Sequence, residues 1–384
     1  MDKKQNSTDV FYAQILPVRY FFDARKRLAI NEILYFRKLN IAVTITLALK
    51  IKRMKFKTIE ANQAIRLAFL GCGFATHLHS KTLRNFKNVQ RFYASRSPEK
   101  AKAYCEKYGG TGHFDSYSKA ISSPEIDVIF IATPPDSHLE LALQSLRAGK
   151  HLLIEKPPFF QSSDFDLIRL EQKKTKVQAM VAENYFYKPL LKRLREFIQS
   201  DLIGDLRFLY FNATKTQTTG DWRDENAKAG GGALFEGGIH WVNFISNLGL
   251  NIESVKGFQP GTESTEKLPR MERSIQLVAK YKEGPIGTLL YSWEVNALFK
   301  GLRLSKIYGT QGSITFESNG LHIFVRGKKW RFIFPGLSDI AGYKGMFHDF
   351  FSALQKGEEP AFTLDLAQRD LEVIESVYAS LNNG

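Results

Sequence analysis

Cysteine is nearly absent. Two residues, Cys72 and Cys105, in a chain of 384 cannot build a disulfide framework, so a reducing, cytoplasmic setting is expected. No Cys/His spacing suggests a bound metal, and no Gly-x-Ser-x-Gly or similar nucleophile motif occurs, which disfavours hydrolysis by a metal or serine route. Long apolar runs are missing as well. In the first 60 residues the longest, Ile41 to Leu49, is about half of what a membrane span requires. Lys50-Ile51-Lys52-Arg53 follows it where a secretory signal would place a small-residue cleavage site, so no signal peptide is expected. There is no internal repeat and no low-complexity tract, and the body of the chain beyond the first 60 residues has no basic stripe interleaved with aromatics.

The formal charge of +15 does not restore a nucleic-acid reading. The first 54 residues hold 11 Lys/Arg against 4 Asp/Glu, which places +7 there and leaves +8 on the other 330. Residues 1–60 therefore read as a basic extension outside the core, of which 1–53 would lie upstream of an authentic start at Met54; the alternative is a membrane-surface or partner-binding helix. With 43% apolar and 24% charged residues, the remainder has the composition of a globular protein of two domains.

What is present begins at Ile65. The run Ile65-Arg66-Leu67-Ala68-Phe69-Leu70 has strand length and leads into Gly71-Cys72-Gly73, followed by a segment, Ala75 to about Arg84, able to be helix. Gly71 permits the tight turn. Gly73 lets the backbone approach a pyrophosphate, which the free N–H groups of Phe74, Ala75 and Thr76 at the helix start would stabilise. Thr76 stands where the dinucleotide fingerprint has its third Gly or Ala. A second apolar run ends in Ser95-Arg96, where an NAD enzyme usually has an acid for the ribose 2′-hydroxyl. A guanidinium there suits a 2′-phosphate, so NADP is expected over NAD.

Further strands, Ile126 to Ala132 and His151 to Ile154, end at Thr133-Pro134-Pro135 and at Glu155-Lys156-Pro157-Pro158, with a helix from His138 to Gly149 between them. Repeated βα units imply a parallel, doubly wound sheet whose ligands sit beyond the carboxyl ends of its strands, where Gly71, Thr133 and Lys156 fall. Beyond Tyr187, seven candidate strands with short turns, from Arg207 to Ala213 through Trp330 to Phe334, suggest a mostly antiparallel sheet. Two helices then close the chain. The expected domains are 61–186 and 187–384.

Gly71-Cys72-Gly73, Ala132-Thr133-Pro134, Gly149-Lys150-His151, Glu155-Lys156-Pro157 and the run from Gly230 to His240 together resemble the glucose-fructose oxidoreductase / inositol dehydrogenase (Gfo/Idh/MocA) family, from about Ile65 to the C-terminus. The resemblance implies an α/β fold: an N-terminal Rossmann domain, then a C-terminal α+β domain with a large open sheet. It also implies reversible hydride transfer at a carbinol carbon, usually of a sugar or polyol. Lys156 would donate to the substrate hydroxyl and contact the nicotinamide. His240 would be the base, since imidazole titrates near pH 7. Glu236 stands where the family has the Asp that orients this histidine, and Asn243 where a further Asp often follows.

Trp222 and Arg223, on a polar loop before the glycine run, are candidate substrate contacts together with Lys156, Glu236 and His240. Glu155 and Lys156 join Thr133 and Pro134 on the cofactor side. His138, by its own pattern a structural histidine like His77, His79 and His113, is also counted there. A homodimer or homotetramer through the C-terminal sheet is expected, because an open sheet must cover its free face. Two rival readings remain: a catalytically lapsed dinucleotide-binding regulator, for which Glu236 and Asn243 argue, and redox-assisted glycoside cleavage with a retained cofactor.

Overall fold

The computed structural model describes residues 55–220, 222–261, 271–296 and 301–381. These all belong to one compact unit, Lys55–Gly384. Segment 1–54 and the expected start at Met54 lie outside the described residues. Among the described residues no helix is long and apolar enough to cross a membrane.

Six parallel strands form the first sheet: β1 (Ile65–Leu70), β2 (Val89–Ala94), β3 (Gly112–Phe114), β4 (Val128–Ile131), β5 (His151–Ile154) and β6 (Ala179–Val181), in the spatial order β3-β2-β1-β4-β5-β6. β4 and β5 are buried at every position, as helices on both faces require. The chain winds outward from β1 to β3, returns to β4 beside β1, and winds the other way. The order therefore reverses between β1 and β4, and the crevice at their carboxyl ends is where such sheets bind ligands. Gly71 (φ +106°) closes β1 there, and a Cβ on it would meet the Ala132 carbonyl oxygen at 2.6 Å, so the turn needs glycine twice over. β3 and β6, three residues each, were not among the expected strands, because runs so short carry no readable period.

The core of this layer is aromatic. Phe69 stacks on Tyr93 and Phe130, with ring centroids 5.5 and 5.1 Å apart. The helix Tyr343–Lys356, which chain order assigns to the C-terminal segment, packs here and sets Phe347 edge-on to Phe130. Phe56 and Ile59, inside the 1–60 stretch expected to stand outside the core, are buried. Their backbone N–H groups donate to Gly357 and Leu354 at that helix's end, at 3.2 and 3.3 Å. Two apolar side chains and two backbone bonds tie these residues down where composition suggested a free tail.

The second sheet has eight strands: β7 (Leu206–Thr214), β8 (Ile252–Phe258), β9 (Ser274–Tyr281), β10 (Ile286–Ser292), β11 (Leu304–Gly309), β12 (Gly312–Glu317), β13 (Ile323–Arg326) and β14 (Arg331–Ile333), in the order β14-β13-β12-β11-β7-β10-β9-β8. Only the β7–β10 pair is parallel. The edge strand β8 escaped the sequence reading because Ser254, Lys256 and Gly257 break its apolar alternation. The helices Ile239–Ser246 and Leu364–Leu381 share one core with the sheet's buried residues. On the other face Phe208, Ile286, Leu304, Tyr308 and Phe332 are exposed, with Phe208 opposite both Ile286 and Tyr308 in register.

Candidate functional site

A cleft of about 1190 Å³ lies along the carboxyl ends of the first sheet and is closed on its far side by residues of the second. At one end is the helix Phe74–Leu83. No side chain caps it, and its first turn holds no acid, so its leading N–H groups are free for an anion. A Cβ added to Gly73 would meet nothing within 4 Å, leaving room for a phosphate against the backbone. Thr76 is fully buried, and its hydroxyl donates to the Gly71 carbonyl at 2.6 Å. It holds the turn shut from behind, where the fingerprint uses a third glycine for close packing. These features fit a dinucleotide's pyrophosphate. Cys72 lines the same turn with its thiol pushed up to about 11 by burial, so it is an unreactive neighbour.

Beyond β2, Ser95 is buried and accepts from the Ser97 N–H at 3.2 Å, while Arg96 is exposed on the cleft wall. Beyond β4, Thr133 and Pro134 line the cleft. His138 does not. It is fully buried behind that loop, its ring nitrogens 2.8 Å from the Thr133 carbonyl and 3.0 and 3.1 Å from those of Pro157 and Pro158. Its place is to join the loops after β4 and β5, not to touch a ligand.

Beyond β5, the buried Glu155 carboxylate is bonded to His79 and accepts the Lys156 backbone N–H at 3.0 Å. Burial by itself would raise the Glu155 carboxyl, but His79 and Lys156 outweigh it and hold the group below its ordinary range. The Lys156 ammonium donates to the Glu236 carbonyl at 3.1 Å and lies 3.8 Å from the Glu236 carboxylate, which also accepts from Arg223 at 3.1 Å. Burial opposes charge on Glu236 too, yet Lys156, Arg223 and Lys215 keep it ionised.

The expected contact between Glu236 and His240 is not made. The His240 Nδ1–H donates to Glu183, whose oxygens lie at 2.7 and 2.9 Å. The cause is electrostatic: cations from β5 and the 222–224 loop claim Glu236, while the buried Glu183 carboxylate faces the imidazole. Since a carboxylate only accepts, Nδ1 carries the proton and Nε2 is the basic nitrogen. The Tyr185 ring lies flat on His240, centroids 4.5 Å apart and planes 14° apart, and Tyr185 N–H donates to Glu183 at 2.9 Å. Asn243 is buried away from the cleft and donates to Asp370 at 2.6 Å. Trp222 and Arg223 both line the cleft, with the guanidinium 4.8 Å over the indole. Among the described residues no group of His, Cys, Asp and Glu could hold a metal ion.

Residues 65–183 match the oxidoreductase family's NAD-binding Rossmann fold, and residues 191–315 match the GFO/IDH/MocA C-terminal domain. The chain belongs to the Gfo/Idh/MocA family. With that membership it is an NAD(P)-dependent oxidoreductase acting on CH–OH groups. Among Gfo/Idh/MocA relatives, a levoglucosan dehydrogenase of Pseudarthrobacter phenanthrenivorans is 23% identical over 66% of this chain and 74% of its own. A trans-1,2-dihydrobenzene-1,2-diol dehydrogenase of Xenopus tropicalis is 28% identical over 63% and 72%. The crystal structure of an aldose-aldose oxidoreductase from Caulobacter crescentus has the same fold, with TM-score 0.74 and 21% identity over 84% of this chain and 98% of that one.

Several residues of this Gfo/Idh/MocA site were not singled out from sequence. Glu183 and Tyr185 follow β6, a further strand end on the ligand edge that a three-residue strand concealed. Lys215 follows β7 and Arg303 precedes β11, and both reach the cleft only through pairing in the second sheet. Lys188 lines it as well. Burial pulls Lys188 and Lys215 each down to about 8.

Proposed function

We propose that this protein is an NADP(H)-preferring oxidoreductase that moves a hydride between the nicotinamide and a carbinol or carbonyl carbon of a sugar, sugar derivative or polyol. The observation that carries this is His240, held from behind by the buried Glu183, on the same cleft as Lys156 and the uncapped helix Phe74–Leu83. When bound, the cofactor supplies the hydride acceptor or donor. Residues 61–186 would hold it and residues 187–384 the substrate. The chain's own work is binding, orientation and proton movement. Free N–H groups after Gly73 take the pyrophosphate. Arg96, exposed beyond β2 with no acid in the fingerprint slot, suits a 2′-phosphate. Nε2 of His240 takes the hydroxyl proton during oxidation, and Glu183 fixes the tautomer and stabilises the imidazolium that forms. The Lys156 ammonium donates to the oxygen that gains negative character, held there by Glu236. Trp222 offers a flat face for a sugar ring.

The exposed apolar stripe on the second sheet supports a homo-oligomer formed by covering it. Two free cysteines fit a cytoplasmic setting. The test is to screen sugars and polyols with NADP⁺ and NAD⁺, following nicotinamide absorbance. Turnover with a higher kcat/KM for NADP⁺ is expected, and absence of turnover across a broad panel overturns the reading.

A further inference from the structure

The substrate end of the cleft gathers several cationic side chains: Lys156, Lys188, Lys215, Arg223 and Arg303 all line it. The Lys215 ammonium, set just past β7, is within electrostatic reach of Lys156, Arg223 and Arg303 as well as of Glu236. Glu236 is already engaged by Lys156 and Arg223. Two further carboxylates stand nearby, and their hydrogen bonds go to groups other than Lys215 and Arg303: Glu183 to His240 and the Tyr185 N–H, and Glu317 to Asn319 and the Leu321 N–H.

Two of these cations also lack the partners that would account for them. The Lys215 side chain lines the cleft, and its ammonium makes no hydrogen bond or ion pair among the described residues. Arg303 is 8% exposed; it donates to the Thr214 carbonyl at 3.3 Å and to Asn319 Oδ1 at 2.5 Å, and its Nε is buried with no partner. Buried cations are ordinarily paired, because removing one from water without a counter-charge is unfavourable. Here that unfavourable state is built into the wall of an open cleft. A neutral sugar would supply only dipoles, whereas an oxyanion would give the Lys215 ammonium and the Arg303 guanidinium a counter-charge.

We propose that the substrate carries an oxyanion, a carboxylate or phosphate on a sugar or polyol, held by Lys215 and Arg303. The proposal rests on the oxidoreductase reading above and narrows its substrate class. The cofactor's phosphates do not fill this role, since on that reading they are met at the Phe74–Leu83 helix start and at Arg96. The hydroxyl to be oxidised would lie toward His240 and Lys156, and the oxyanion toward Lys215 and Arg303, so the charge fixes which carbon is presented.

The test uses the full chain saturated with NADP⁺, and titrates matched pairs by calorimetry: D-glucuronate against D-glucose for the carboxylate arm, and D-glucose 6-phosphate against D-glucose for the phosphate arm. At least one anion should bind 10-fold or more tightly than its neutral twin. In Lys215→Met and Arg303→Gln that advantage should fall to about 3-fold or less while the neutral twin's affinity is kept. Should either variant fail to bind NADPH, and so be misfolded, raising NaCl from 50 to 500 mM on the wild type should shrink the anion's advantage several-fold and leave the neutral twin unchanged. Equal affinity of the twins, including no binding of either, overturns the proposal, as does an advantage that persists in both variants or at high salt. Turnover is read separately. Anions that bind selectively and are never oxidised, alone or with any other compound, would sink the oxidoreductase reading and leave the anion site standing. Turnover of neutral sugars without anion preference would do the reverse.

Discussion

His240 and Glu183 are 57 positions apart in the chain and 2.7 Å apart in the fold, whereas Glu236, one helical turn before His240, is bonded to Arg223 instead. The imidazole is thus held by a residue at the end of β6 in the first sheet while it is carried on a helix that packs against the second. The proton step depends on both sheets keeping their relative position.

Replacing Glu183 by Gln tests this pairing. The amide can turn its NH₂ toward Nδ1 and favour the wrong tautomer, so kcat should fall about 10- to 100-fold with KM for the cofactor nearly unchanged. Glu236→Gln should act differently, raising KM for substrate, because it loosens Lys156 and Arg223 without touching the histidine. If the Glu236 variant lost kcat and the Glu183 variant kept it, the assignment of Glu183 as the positioning residue would be reversed.

Catalysis itself is tested by His240→Ala and Lys156→Ala. Each should lower turnover about 10²- to 10⁴-fold with cofactor affinity nearly intact, the usual size of a general acid–base contribution. Because both groups act on one hydroxyl, the double variant should lose much less than the product of the single losses. Steady-state rates together with cofactor fluorescence titrations give both quantities, and a wild-type rate in His240→Ala removes it from the mechanism.

Cofactor choice turns on Arg96. A charge-assisted contact with a 2′-phosphate is worth roughly 1.5 to 3 kcal/mol, so Arg96→Ala should weaken NADPH by about that amount and NADH little. Equal weakening of both cofactors, measured by fluorescence titration, means the guanidinium does not read the 2′ position.

A buried histidine in the first sheet predicts acid lability. His151, at the start of β5, accepts the Gln178 N–H on Nδ1 at 3.1 Å, and burial lowers its pKa to about 4. The folded state therefore keeps it neutral while the unfolded chain protonates it near pH 6.5. Stability contributed by the neutral form is present above that pH and is lost as pH falls from about 6.5 toward 4, at up to ~1.4 kcal/mol per unit and on the order of 3 kcal/mol in all. Urea midpoints at pH 7.5, 6 and 4.5 should show this decline. In His151→Leu the decline should be smaller by that amount, and an unchanged slope in the variant assigns it to other groups.

Much of the arrangement was legible from local chemistry. The apolar run closing in Gly71-x-Gly73, the prolines after β4 and β5 and the glycine run before His240 each impose a backbone geometry that no distant contact needs to supply. They located the dinucleotide turn, Thr133, Lys156 and His240 on one cleft, and the alternation beyond Tyr187 marked most of the second sheet. Tertiary structure decided which charges meet. Glu236 could have served His240 by sequence spacing, but a carboxylate goes where the net field is strongest, and that field comes from Lys156, Arg223 and Lys215 on three separate segments. Glu183, Lys215 and Arg303 carry no motif, and their roles arise only when strand ends remote in sequence converge. His138 shows the opposite limit: its position beside a binding loop was legible, but full burial against three carbonyls removed it from the cleft. Backbone requirements are written locally, whereas Coulomb interactions and burial depend on distances that exist only after folding.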